Sequence, residues 1–172
     1  MTLIALSENE YAPFYKTYIN TVKNNVELID LLKDSINQLI TVLTDLPEEK
    51  QMYAYSEGKW TIKEIVQHLI DTERILSYRA LRFSRNDATP ISGFDESWYA
   101  ENSNGNERSY KDLLKELKLV RKSTIMLFKS FSEEMLLFSG TANDSEITVR
   151  ALGFVIAGHQ LHHLNVIKER YL

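Results

Sequence analysis

The chain contains no cysteine. Disulfides, thiolate metal sites and a cysteine nucleophile are therefore excluded, and imidazole and carboxylate are the strong metal ligands left to it. It has no excess of positive charge either: 20 lysines and arginines against 24 aspartates and glutamates leave a formal charge of −4. A nucleic-acid binder needs a basic face to neutralise phosphates, so that class is set aside. Nowhere does an apolar run approach the ~18 residues of a membrane span. The stretch from Met1 to Glu10 lacks the basic start and long apolar run of a secretory signal. The expectation is a cytoplasmic protein that meets neither membrane nor nucleic acid. Internal repeats, low-complexity tracts and a sustained heptad seam are absent as well.

What is present suits one folded unit. A chain of 172 residues, 44% apolar and 26% charged, has an ordinary globular balance. Chains of this size bury roughly 70% of their extended-chain surface, enough for one well-formed core, so residues 1–172 are read as a single domain.

The apolar spacing is helical almost throughout. Tyr11 to Asn20 is an aromatic-rich lead-in, with Pro13 suited to a first helical turn. From about Val22 to Asp45, apolar residues at Val26, Ile29, Leu32, Ile36, Leu39 and Leu43 keep the three-four rhythm of an amphipathic helix. Pro47 ends it. A connector with aromatic anchors at Tyr53 and Tyr55 follows. Thr61 and Glu64 then form a capping box, predicting a second helix to about Arg85. Residues 86–108 read as a long irregular segment in which Phe94, Trp98 and Tyr99 are expected to pack back onto the helices. Ser109 and Asp112 open a third helix, to about Ser130. Ser132 to Ile147 reads as a short helical turn and a polar loop, and the last helix begins near Thr148. The predicted fold is all-α, an antiparallel four-helix bundle with a long crossover loop between helices two and three.

Of the four histidines, three stand within five residues, in Gly158-His159-Gln160-Leu161-His162-His163. At 100° per residue, His159 and His163 fall at the centre of the last helix's buried arc and His162 at its edge. Two imidazoles stand where Leu or Ile is expected, and burying each unpartnered costs on the order of 1–3 kcal/mol. Two arrangements satisfy them. One is a hydrogen-bonded histidine cluster with a carboxylate such as Asp71 or Glu73. The other is a metal held by His159, His163 and His68 of the second helix, three neutral nitrogen ligands with open positions. The helical zinc-protease motif is absent, because Gln160 stands where its glutamate belongs.

The run from Trp60 through Thr61-Ile62-Lys63-Glu64 to His68 and Asp71, and the tail from Gly158 to His163, resemble the DinB-like superfamily. So do Tyr78 to Phe83 and the Gly93-Phe94-Asp95-Glu96 segment, so that the likeness extends from about Val26 to Leu172. That group includes metal-dependent hydrolases and thiol S-transferases of the bacillithiol type. The resemblance implies that His68, His159 and His163 hold a divalent ion, zinc or nickel, with His162 beside them or structural. It implies a metal-dependent thiol S-transferase acting on small electrophiles in detoxification or stress response. A hydrolase of small amides or esters, and a non-catalytic metal-binding bundle, are the alternatives. Arg79 and Arg82 are candidates to receive a carboxylate of the thiol. Asp71 and Glu96 are candidate bases for hydrolysis. The partners expected are a small-molecule substrate, with a low-molecular-weight thiol in the main reading, and a second copy of the chain in a homodimer.

Overall fold

A computed structural model describes residues 6–22 and 26–172. Four long helices dominate it: α2 (Leu28–Thr44), α4 (Ile62–Ser84), α6 (Tyr110–Lys129) and α8 (Val149–Arg170). Shorter pieces are α1 (Lys16–Ile19), α3 (Glu48–Gln51), α5 (Glu96–Glu101) and α7 (Glu133–Leu137), with 3₁₀ turns at Glu8–Glu10, Pro13–Tyr15 and Gly105–Glu107. The first long helix starts at Leu28; the part of its expected start over residues 23–25 lies outside the described residues, as do residues 1–5 of the stretch assessed for a signal.

The long helices begin where side chains can satisfy their free N–H groups. Thr61 Oγ1 accepts from Glu64 N at 3.1 Å while Glu64 Oε2 accepts from Thr61 N at 2.7 Å, the expected capping box. Ser109 and Thr148 cap α6 and α8 singly, their side chains accepting from Asp112 N and Ala151 N. Tyr53 and Tyr55 present ring edges to Tyr171, anchoring the connector to the end of α8.

Side-chain pairing defines how the helices run. Glu73 meets Arg121 and Ser77 meets Thr124, so α4 and α6 run the same way. Trp60 meets Tyr171 and His68 meets His159, so α4 and α8 are antiparallel. Arg121 reaches the carbonyl of Leu32 while Tyr110 reaches that of Leu43, which makes α2 and α6 antiparallel. Leu28 lies by Gly153 and Ser35 by Gln160, so α2 and α8 run together. The four-helix bundle is as expected, with two neighbour pairs antiparallel and two codirectional. The crossover between α4 and α6 returns the chain to its starting end and makes this possible.

The apolar core has two lobes. One holds Leu32, Phe83, Leu152 and Phe154; the other holds Leu39, Leu43, Ile62, Leu117 and Ile167. Between them lies a buried polar layer of Ser35, His68, Glu73, Arg121, Thr124, His159 and Gln160. Arg121, 1% exposed, has a partner for each nitrogen: Glu73 accepts from its Nε and Nη2 at 2.8 and 2.9 Å, Ser35 Oγ and the Leu32 carbonyl from its Nη1. Removing one partner of such a pair costs about 3–5 kcal/mol.

Two expectations need correction. The stretch read as a polar loop is a β-hairpin, β1 (Ser139–Ala142) against β2 (Ser145–Thr148), with Ser139 opposite Thr148 and Ala142 opposite Ser145. Asn143 and Asp144 both take positive φ, 52° and 56°, as a two-residue type I′ turn requires. Of the three crossover aromatics expected to pack inward, Phe94 is half-buried, but Trp98 is 63% exposed and Tyr99 44%. Short-range polarity favours solvent for α5, whereas the chain before it is tied to the hairpin. Ile91 N donates to the Thr141 carbonyl at 2.9 Å and Asn143 N to the Ile91 carbonyl at 3.0 Å. Gly93 passes so close that a Cβ there would lie 2.1 Å from Asn143 Oδ1.

Candidate metal centre

The polar layer brings three imidazoles to one point. His68 projects from α4; His159 and His163, one turn apart on α8, face it across the antiparallel helix pair. His159 Nε2 lies 2.9 Å from His68 Nε2 and 3.1 Å from His163 Nε2, and a ligating nitrogen of each lies within 4.8 Å of the others. Nitrogens around one ion at 2.0–2.1 Å stand about 2.9 Å apart on an octahedral face and about 3.3 Å apart at tetrahedral corners. The two short separations are of the size that one shared ion would set.

Hydrogen bonding alone fits the cluster less well. A neutral imidazole carries one ring N–H, and His159 Nε2 faces two other nitrogens at once. The carboxylates that would complete a hydrogen-bonded cluster are elsewhere. Glu73 is committed to Arg121. Asp71 accepts from Gln67 Nε2 at 2.9 Å, beside an Arg108, Glu116 and Arg74 network on the flank facing α6. Burial still pushes the Asp71 carboxyl up, against that hydrogen bond and the nearby arginines.

Burial pushes His68 down to about 4. It also holds His159 and His163 well below the ordinary histidine value, with the neighbouring imidazoles acting in the same sense. All three are therefore neutral at pH 7, the form that ligates metals. Thr72 Oγ1 stands 3.5 Å from His68 Nδ1. The Trp60 and His68 ring centroids lie 4.7 Å apart, and those of Tyr18 and His159 lie 5.0 Å apart with the rings nearly perpendicular. His163 keeps a partly exposed edge. His162 packs against Tyr18 and the His163 ring, outside the convergence.

Two hollows reach the α8 histidines. A cavity of about 270 Å³ reaches His159 and is walled by Tyr15, Tyr18, Thr72, Arg79 and Phe94, with Glu96 at its rim. A cleft of about 320 Å³ reaches His162 and His163 between Tyr55, Trp60 and Tyr171. Arg79 thus belongs to the site's surroundings, while Arg82 does not: it pairs with Asp87 and with the Tyr78 hydroxyl on the outer surface. Partial burial pushes the Glu96 carboxyl up, aided by Asp95. Sequence reasoning missed Tyr15, Tyr18 and Trp60 as walls. The aromatic density of the lead-in was the available signal, but its direction of packing was not legible. Gly158 sets that packing: its Cα approaches so closely that a Cβ would lie 2.2 Å from the Tyr18 carbonyl oxygen.

Comparison with known proteins adds a family. The family model described as the DinB superfamily matches residues 31–167. A protein of Oceanobacillus iheyensis named "Putative metal-dependent hydrolase" is 26% identical over 150 residues, covering 86% of each chain. A methionine–tRNA ligase of Rickettsia bellii is 29% identical over 144 residues, 77% of this chain but only 27% of that enzyme. Among solved structures, YfiT from Bacillus subtilis superposes with a TM-score of 0.75 at 18% identity, over 86% of this chain and 89% of its own. It is described as a probable metal-dependent hydrolase with an unusual four-helix bundle topology. At that identity the likeness is one of fold.

Proposed function

The chain belongs to the DinB superfamily, and from that premise we propose that it is a divalent-metal enzyme transferring a low-molecular-weight thiol to a small electrophile. The observation that carries the proposal is the convergence of His68, His159 and His163 beside two hollows, with no fourth protein ligand in the group among the described residues. Three protein ligands with open positions are the pattern of catalytic rather than structural sites. A divalent ion held there supplies a Lewis acid that acidifies the nucleophile presented to it. Zinc and nickel both suit imidazole ligands, and we assign one of these two.

The chain's own residues hold the imidazoles neutral by burial and shield them with Trp60 and Tyr18. Thiol is favoured over water as nucleophile because no carboxylate stands among the trio to take a proton from water. A thiol, with an unperturbed pKa near ~8.5, needs little such help. With no cysteine in the chain, the sulfur arrives with the substrate. A detoxification reaction in the cytoplasm fits this chemistry. Exposed Leu119 and Met126, seven residues apart on α6, support a homodimer, and light scattering that finds only monomer removes that part of the reading.

Hydrolysis of a small amide or ester is the second reading. It is favoured by the names of the Oceanobacillus and Bacillus proteins and by Glu96 in the same cavity as His159. The test is to give metal-loaded protein a small thiol and a chlorinated fluorogenic acceptor, and separately a chromogenic ester. Turnover requiring both thiol and metal is expected. Ester turnover without thiol supports hydrolysis instead, and metal-independent or absent turnover in both assays rejects the enzymatic reading.

A further inference from the structure

Of the two buried arginines, Arg79 is the one that forms no ion pair among the described residues, although the Glu96 carboxylate lines the same cavity farther off. It is 2% exposed, yet its hydrogen bonds are to neutral groups: the Ser92 carbonyl at 3.2 Å from Nη2 and the Tyr15 hydroxyl at 3.5 Å from Nη1. Its Nε has no partner. The contrast with Arg121, equally buried and paired bidentately with Glu73, is direct. A buried guanidinium without an anion is costly, so an anion bound beside it would recover part of that cost.

The position of Arg79 gives the anion a place. His68, Thr72, Leu76 and Arg79 follow one stripe of α4, and Arg79 lies about 20° from His68 around the helix axis. Thr72, Leu76 and Arg79 all line the cavity that reaches His159. Roughly 16 Å of helix separates the Cα atoms of His68 and Arg79. Long helical side chains lean back toward the N-terminus, which carries the guanidinium toward the histidines. The Phe94 ring lies 5.9 Å from the guanidinium carbon, so the crossover packs against the charged group. At about 270 Å³ the space holds about nine waters' volume, a small organic molecule rather than a peptide.

We propose that this cavity is a carboxylate seat: Arg79 binds a carboxylate of a small substrate whose reactive end extends toward His68, His159 and His163. The planar fork of the guanidinium matches a carboxylate in two parallel hydrogen bonds, and the aromatic walls take the apolar body between the two ends. The direction of the reactive end rests on the histidines being the reacting centre; the seat itself does not. Arg82, three residues on and paired with Asp87, has no such role.

The test is calorimetric titration of the full-length protein with hexanoate and with hexanamide, which match in length and differ in charge. Hexanoate is expected to bind about tenfold or more tightly. Equal affinities for acid and amide overturn the proposal without any variant. In Arg79→Gln the preference is expected to fall to about twofold or less, and in Arg82→Gln to persist. A preference that survives Arg79→Gln means the acid is held elsewhere, on a metal ion for instance, and overturns the proposal. If Arg79→Gln does not fold, Arg79→Lys keeps the charge without the fork and is expected to lose several-fold of the preference; an unchanged preference there also overturns it. Metal content, which this titration does not use, separately decides the reading of the histidines.

Discussion

The buried imidazoles make the metal-free protein acid-labile in a calculable way. His68 is held neutral in the folded state, down to about 4 from an ordinary 6.5, while in the unfolded chain it titrates normally. Between those values the unfolded state binds the extra proton, so stability rises with pH and is lost as pH falls from above 6.5 toward 4. At pH 5 the linkage for this one residue is about 2 kcal/mol relative to pH 8. For a domain of this size that lowers Tm by roughly 4–8 °C. His159 and His163, depressed for the same reason, add in the same direction. Asp71 and Glu96, whose carboxyls are pushed up, act in the opposite sense at lower pH, so a variant is needed to isolate the effect. His68→Gln removes the titration and keeps a polar side chain. Thermal unfolding of chelator-treated protein, followed by circular dichroism at pH 8 and pH 5, should show the pH-dependent loss shrinking by about 2 kcal/mol in His68→Gln. An identical loss in wild type and variant would falsify the assignment of a neutral buried His68.

Replacing His163 with Ala should abolish stoichiometric metal retention, measured by elemental analysis, whereas His162→Ala should retain it; the reverse pattern refutes the helical phase assigned to α8. Glu73→Ala strands Arg121 and should cost about 3–5 kcal/mol, a Tm fall of roughly 6–20 °C. Replacing both Glu73 and Arg121 with Met should recover most of that loss, and a double variant as unstable as the single one contradicts the pairing. Gly158→Ala should destabilise by about 1–3 kcal/mol despite alanine's better helix propensity, because its Cβ meets the Tyr18 carbonyl. A stabilised Gly158→Ala protein, by chemical denaturation, would show that the lead-in does not press on α8.

Much of the fold was legible because helices announce themselves locally. The Thr61 and Glu64 box, the Ser109 cap and the three-four apolar rhythm all concern residues within a turn or two of each other. The hairpin escaped because four-residue strands carry almost no periodicity, and its turn is Asn143-Asp144 without the glycine that usually signals it. Trp98 and Tyr99 misled because aromatic character says nothing about which side of a short helix meets the bundle. Asp71 looked close to His68 in the chain, but three residues turn it about 60° away, onto the flank facing α6.

The sequence by itself determined the four long helices, the exclusion of thiolate chemistry in a chain without cysteine, and the facing of His159 and His163 on one stripe of α8. These follow from composition and from a repeat of 3.6 residues, which relate only near neighbours. The tertiary structure decided that α4 lies antiparallel beside α8, so that His68 completes the trio 91 residues before His159. It also decided that Glu73 belongs to Arg121, that Asp71 and Arg82 stand apart, and that Arg79 lines the cavity without an ion pair. Periodicity gives each helix a buried face but not its neighbour. Which faces meet depends on how all four helices together bury their apolar lobes, on either side of one shared polar layer.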